Sequence, residues 1–128
     1  MQLLVGEVVS GGALSDNTLP EIVSIETSLN GAQLLLNVKE TLNFFPGHFP
    51  GHPIVPGVVQ LHWAVTYART YLSMATAVTD LERLKFTAPI QPNAQLFLTL
   101  ELDSQLRSVN FRYYDHTQLY STGRMNYV

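Results

Sequence analysis

The stretch that decides the fold is FFPGHFPGHPIVPGVVQLHW, residues 44–63, which joins a proline-rich connection to the start of a helix. Four of the seven prolines of the chain fall within it, and glycines interleave with them. Each proline fixes its own φ at about −65° and biases the preceding residue towards extended backbone, so we expect a stiff connection. Two histidines, His48 and His52, are therefore held in nearly fixed positions ahead of the helix.

The helix is predicted from Gly57 to about Ser73, because this segment has no proline, no further glycine and apolar residues around most of its circumference. We expect other structure to cover it on most sides. Pro56 stands at or just before the first turn, where a missing N–H is harmless. The polar residues form one narrow stripe, made of His62, Thr66, Arg69, Thr70 and Ser73.

The start of this helix is also a candidate site. Its first backbone amides, near Gly57 and Val58, have no acceptor within a helix and lie at the positive end of the helix dipole. They are predicted to bind a polarised carbonyl or a developing oxyanion, and Gly57 permits close approach of a ligand. An imidazole held beside them would supply the base that removes a proton next to that carbonyl.

Alternating apolar residues from Ala32 to Lys39 predict a half-buried strand, and Glu21 to Ser28 looks similar. The dipeptide Asn30-Gly31 predicts a two-residue hairpin turn between them, with positive φ at both positions. Polar turns at Asp103-Ser104 and Asp115-His116 favour hairpins within an antiparallel meander after the helix. The strands predicted there are Leu84 to Ala88, Gln95 to Leu102, Leu106 to Tyr114 and Gln118 to Tyr127.

One long helix with about six strands predicts an α+β fold in which a curved antiparallel sheet covers the helix. A polar loop, Gly11 to Pro20, precedes these elements. The length of 128 residues and the 46% hydrophobic content are typical of a single globular domain, which we expect to span residues 1–128.

Charge and composition disfavour several classes of protein. The net charge is −3 and the basic residues are scattered, so nothing indicates a nucleic-acid partner. The absence of cysteine excludes disulfides and thiolate nucleophiles and fits a reducing compartment. The N-terminus does not resemble a signal peptide, and no apolar run reaches the roughly 18 residues of a membrane span. We therefore expect a cytoplasmic protein that uses no cofactor.

Two motifs carry a family resemblance. GHFPGHPIVPGVVQLHW, residues 47–63, resembles without a gap the GHFPxxPxxPGVLxxE signature of the bacterial β-hydroxyacyl-acyl carrier protein dehydratases, the FabZ/FabA-like family. KFTAPIQPN, residues 85–93, is similar to that family's KFxxPVxPGD. The resemblance implies a hotdog fold, a sheet wrapped around one helix. It also implies a homodimer with shared active sites that acts on 3-hydroxyacyl chains of acyl carrier protein. By position, His48 takes the place of the catalytic histidine and Gly57 that of the glycine whose amide binds the thioester carbonyl.

One departure from that signature concerns its second catalytic group. The family has a Glu or Asp fourteen residues after the histidine, and 62 − 48 = 14 falls on His62. No acidic residue lies between Thr41 and Ala77, and the family's helical Gln four residues further on is replaced by Thr66. The combination PGVVQLHWA resembles the ApeI-like dehydratases of aryl polyene biosynthesis. Higher oligomers or a heteromer with a second subunit are compatible with this branch.

The resemblance implies that neutral His48 removes the α-proton while the Gly57 amide stabilises the carbonyl oxygen. His62, from the partner subunit's helix, would then donate a proton to the leaving hydroxyl or orient a water molecule, and both roles stay open. Structural interpretations also stay open. His48 could cap backbone groups of its loop, and His62 could belong to the polar edge of an amphipathic helix.

An apolar tunnel for the acyl chain has aromatic candidates, and these residue types are equally common in a protein core. The tunnel candidates are Phe45, Phe49, Trp63, Tyr67 and Phe86. A basic entrance would suit an acidic carrier protein, for which Arg69, Arg83 and Lys85 are the candidates unless they are merely solvated. A zinc site at His48, His52 and His62 is disfavoured, because prolines prevent the helical spacing of its ligands.

Two other functions compete with dehydration. A hotdog thioesterase would polarise the same thioester for attack by water, although such enzymes usually carry a carboxylate in the helix region. A non-catalytic hotdog subunit of a biosynthetic complex would keep the fold without the acid.

Overall fold

The computed structural model of the chain describes residues 17–42, 53–74 and 77–128. Within these ranges, one helix packs against a six-stranded sheet in which every neighbouring pair is antiparallel. The strand order is β1-β2-β4-β5-β6-β3. The elements are β1 Glu21–Ser28, β2 Gly31–Asn37, α1 Gly57–Tyr71, β3 Val78–Phe86, β4 Gln95–Asp103, β5 Ser108–Tyr114 and β6 Leu119–Tyr127.

The core lies between α1 and the inner face of the sheet. Alternation along β2 and β4 buries every second residue, and the strand register sets Leu34 opposite Leu98 and Leu36 opposite Leu96. From β5, Phe111 and Tyr113 add aromatic rings to the same face. The half-buried strand predicted from Ala32 is therefore confirmed, because period-two alternation directs one set of its side chains to the helix. The strand predicted from Glu21 to Ser28 is also present, but none of its residues is buried.

The helix begins at Gly57 as predicted and ends at Tyr71, two residues before the predicted end. Ser73 adopts a φ of 56°, a left-handed conformation that stops the helix. One face of α1 packs on the sheet through Gln60, Trp63, Ala64, Tyr67 and Ala68. Among the described residues, the side of α1 away from the sheet is exposed at Val58, His62, Arg69 and Thr70, while its flanks are half-buried. No helix in the described ranges is long and apolar enough to cross a membrane.

The first hairpin turns one residue earlier than predicted. Ser28 pairs with Gly31, so Leu29 and Asn30 form the two-residue loop, and Asn30 does not have a positive φ. Gly31 belongs to β2, where an added Cβ would come within 3.0 Å of the Leu100 carbonyl oxygen. Close approach of β4, and not turn geometry, explains this glycine.

The two later turns are confirmed at their aspartates. The Asp103 carboxylate accepts the amides of Gln105 and Leu106, and the Asp115 carboxylate accepts those of Thr117 and Gln118. Such side-chain acceptors stabilise tight turns.

The strand predicted from Leu84 to Ala88 runs instead from Val78 to Phe86 and pairs with β6, so the four later strands are not a simple meander. Two features explain why the sequence did not predict the bounds of β3. Nearly all of its residues are exposed, so hydrophobic alternation is weak, and a bulge after Glu82 breaks the period. Arg83 takes up this bulge with a φ of 55°.

Candidate active site

Within the described part of the chain, the first turn of α1 leaves two backbone amides without an acceptor. Pro56 is the N-cap, and its carbonyl accepts the amides of Val59 at 3.0 Å and Gln60 at 3.1 Å. Among the described residues, nothing accepts the amides of Gly57 and Val58. The structure therefore has two available helix-start amides where the sequence predicts an oxyanion site, and oxyanion binding by them stays a prediction.

Phe86, at the end of β3, lies over Gly57. A Cβ added at Gly57 would come within 3.0 Å of the Phe86 ring, so only glycine allows this contact without a shift. The chain before the helix is tied to the segment after β3, because the Val55 amide donates to the Ile90 carbonyl at 2.8 Å. The two sequence motifs, far apart along the chain, thus meet at the helix start.

A buried polar cluster supports the same turn from the sheet side. Gln60 donates to the Val55 carbonyl at 3.2 Å and accepts from the Ser121 hydroxyl at 2.6 Å. Tyr113 donates its hydroxyl to the Gln60 carbonyl at 2.7 Å, and burial raises the pKa of that hydroxyl well above its ordinary value. The sequence patterns did not predict this cluster. The signal was a polar Gln in the otherwise apolar run PGVVQLHW.

His62 lies on the open face of α1, away from the sheet. Val58 is one turn earlier on the same face and is 73% exposed. Residues four apart share one side of a helix, so His62 and Val58 form one exposed patch next to the free amides. The side chain of His62 makes no hydrogen bond or ion pair with any described part of the chain.

The aromatic candidates divide into core and surface. Trp63 is fully buried, packs edge-on against Tyr113 and donates its Nε1–H to the Thr18 carbonyl at 2.7 Å. Tyr67 is also buried, and its hydroxyl reaches the Pro20 carbonyl at 3.4 Å. Phe86, at 48% exposure, is the described aromatic candidate that borders the free amides. A role in a substrate wall remains a prediction for each.

The basic candidates lie in two places. Arg69 is exposed in the last turn of α1, about 18 Å along the helix axis from Gly57 by the rise per residue. Arg83 and Lys85 belong to β3, next to Phe86. Arg83 also lines a groove of about 310 Å³ on the outer sheet face together with Arg112 and Arg124.

His48, His52, Phe45 and Phe49 fall in residues 43–52, outside the described residues. Their predicted roles stay predictions, as does the argument against a zinc site. In the ranges that the structure describes, no group of three or more potential metal ligands occurs.

A family model and a curated relative that match the chain both describe dehydratases. Residues 24–124 match the family model described as ApeI-like: ApeI dehydratase. The 3-hydroxyacyl-[acyl-carrier-protein] dehydratase FabZ of Dechloromonas aromatica is 32% identical over 84 residues, which cover 57% of this chain and 58% of that protein. The chain thus spans less than two thirds of the length of the curated relatives it matches first.

Two solved structures extend the comparison. The dehydratase heterocomplex ApeI:P from Xenorhabdus doucetiae is 34% identical, with a TM-score of 0.79 over 84% of this chain and 96% of that one. Thioesterase superfamily member 2 from Mus musculus has a TM-score of 0.62 at 12% identity, over 80% of this chain and 77% of that one, a likeness of fold alone. The predicted hotdog fold is confirmed.

Proposed function

The chain belongs to the ApeI-like dehydratase family, and from this premise we propose that it dehydrates (3R)-hydroxyacyl thioesters of acyl carrier protein to trans-2-enoyl thioesters. Fatty acid or aryl polyene biosynthesis is the setting. One observation carries the proposal: the two unused amides of Gly57 and Val58 lie at a helix start, beside the Phe86 ring. Amides placed this way stabilise the negative charge that develops on a thioester oxygen during proton removal.

In the proposed reaction, neutral His48 takes the α-proton of the substrate. The electron pair of that C–H bond first delocalises onto the thioester oxygen, where the amides of Gly57 and Val58 stabilise the negative charge. The same pair then forms the double bond between C2 and C3 as the C3–O bond breaks. His62 gives a proton to the departing hydroxyl, which leaves as water, or orients the water molecule that does so.

We also propose that the site is shared between two hotdog subunits that meet along β3. In the described chain, one edge of β3 pairs with β6 and the other has no strand partner. Three large apolar side chains of this strand are exposed: Leu81 at 39%, Leu84 at 37% and Phe86 at 48%. An unpaired edge with apolar side chains favours pairing with a second chain, which would bring another helix near the Gly57 amides.

The carrier protein is proposed to dock at the β3 side of the site. Arg83 and Lys85 are exposed there, and Arg83 shares a groove on the outer sheet face with Arg112 and Arg124, three arginines against the single carboxylate of Glu101. Basic residues near the entrance would attract an acidic carrier. Arg69, about 18 Å from Gly57 along the axis of α1, is the third basic candidate, and its part in docking stays a prediction. We place the reaction in the cytoplasm.

The proposal is tested by incubating the chain with a 3-hydroxyacyl-acyl carrier protein and measuring the products by mass spectrometry. A trans-2-enoyl product that disappears in His48→Ala is expected. A free acid would indicate a thioesterase instead. An unchanged substrate, also after addition of a second hotdog subunit, would indicate a non-catalytic role and contradict the proposal.

Replacing His62 separates its two proposed roles from a structural one. Turnover should fall in His62→Ala and be retained in His62→Glu, because a carboxylic acid can also donate a proton. Unchanged turnover in His62→Ala would remove this residue from the mechanism.

A further inference from the structure

We infer that Gln60 is a positioning residue for the proposed reaction, and that its buried carboxamide helps to set the direction of the Gly57 amide. The inference rests on the proposed function. Gln60 itself faces the sheet, is only 3% exposed and is not expected to touch the substrate.

Gln60 can orient the Gly57 amide because its side chain binds the Val55 carbonyl. That carbonyl belongs to the peptide group joining Val55 to Pro56, and the Gln60 side chain donates to it at 3.2 Å. The ring of Pro56 fixes its φ, which is −59° here. Only the ψ torsion of Pro56 then separates the held peptide group from the next one, which contains the Gly57 amide. A hydrogen bond at Val55, together with the Val59 and Gln60 amides that hold the Pro56 carbonyl, therefore limits where the Gly57 N–H points.

The other end of the carboxamide is held by the sheet. Its oxygen accepts from Ser121 at 2.6 Å, while the main-chain carbonyl of Gln60 accepts from Tyr113 at 2.7 Å. Ser121 and Tyr113 are cross-strand neighbours, so a single pair on β5 and β6 holds both parts of Gln60. Phe86 is the neighbour of Ser121 on the other side and covers Gly57.

The chemistry of a buried amide also favours a directional role. An apolar side chain would fill the same space without the cost of removing an amide from water. A carboxamide bonded at both ends instead fixes an orientation, because each bond weakens steeply when its angle changes. Catalysis by preorganised amides depends on that kind of precision, and a small misplacement costs a large factor in rate.

Two variants test the inference. Gln60→Met keeps the volume and removes both side-chain bonds, so kcat should fall about tenfold or more while KM changes little. Gln60→Glu is isosteric but donates to the Val55 carbonyl only when its carboxyl is protonated. Its kcat relative to wild type should therefore recover as the pH falls through the pKa of that carboxyl, which burial raises.

Val109→Ala is the control for a simple loss of stability, because this core residue of β5 lies four positions from Tyr113. It should lower Tm and leave kcat unchanged. A Gln60→Met variant with wild-type kcat, or an equal loss of kcat in Val109→Ala, would overturn the inference.

An infrared measurement separates this inference from the proposed function. A saturated acyl pantetheine thioester labelled with ¹³C at its carbonyl has no 3-hydroxyl and cannot be dehydrated. Its carbonyl stretch should shift to lower frequency on wild type and Val109→Ala, and the shift should be lost on Gln60→Met. A shift that survives in Gln60→Met overturns the role of Gln60 alone, whereas no shift on wild type overturns both proposals.

Discussion

Gly57 brings two requirements together at one residue, a free amide and space for the Phe86 ring. We expect Gly57→Ala to lower kcat/KM about tenfold or more, because the added methyl displaces either the ring or the helix start. The free energy of unfolding should change by less than about 1 kcal/mol, since the half-exposed ring can move and alanine is the better helix former. Gly57→Ala/Phe86→Ala should recover part of the activity if the ring causes the loss. Steady-state kinetics with thermal unfolding would show this, and equal losses of stability and activity would contradict it.

Asp115 links the β5–β6 turn to Tyr120, whose hydroxyl donates to the carboxylate. This bond, with those from Thr117 and Gln118, holds the pKa of Asp115 well below its ordinary value. A carboxyl with a lowered folded-state pKa stabilises the protein above its unfolded pKa and loses that contribution as the pH falls towards the folded one. Wild type should therefore exceed Asp115→Asn in Tm at neutral pH, with a gap that narrows below about pH 4. A gap independent of pH would show that the charge of Asp115 does not matter.

At the scale of elements, the bulge in β3 makes a testable backbone prediction. Arg83 has a φ of 55°, where glycine is free of the steric cost that other residues carry. We expect Arg83→Gly to be more stable than Arg83→Ala by about 1 kcal/mol in denaturant unfolding. Arg112 is the control, because it pairs regularly with Thr99 and Thr122. At this position the order should be reversed, with Arg112→Gly less stable than Arg112→Ala by about 0.5–1 kcal/mol. The same sign at both positions would argue against a strained bulge.

At the scale of the whole molecule, the proposed dimer depends on which edge of the sheet is used. Leu81 lies on the β3 edge and Val23 on the β1 edge, at 39% and 48% exposure. Leu81→Lys should convert a dimer to a monomer in sedimentation experiments and abolish turnover, since a charge opposes burial in an interface. Val23→Lys should do neither. The opposite pattern would place the interface at β1.

The sequence by itself determined the local features of this protein. Alternation along β2 and β4, the uninterrupted helix from Gly57 and the aspartate turns are set by neighbouring residues, so their patterns are visible in the chain. The available amides at the start of α1 were predictable for the same reason, because they are a property of any helix terminus. The motif resemblance then identified the fold.

Only the tertiary structure decided the long-range pairings. β3 pairs with β6 at the edge of the sheet, and this edge position explains why its residues are exposed and show no alternation. Gly31 is required by the close approach of a neighbouring strand and not by a turn. The cluster of Gln60, Tyr113 and Ser121 joins three elements through hydrogen bonds between residues 53 and 61 positions apart. Such contacts leave no periodic trace in a sequence, since each depends on where the other elements pack.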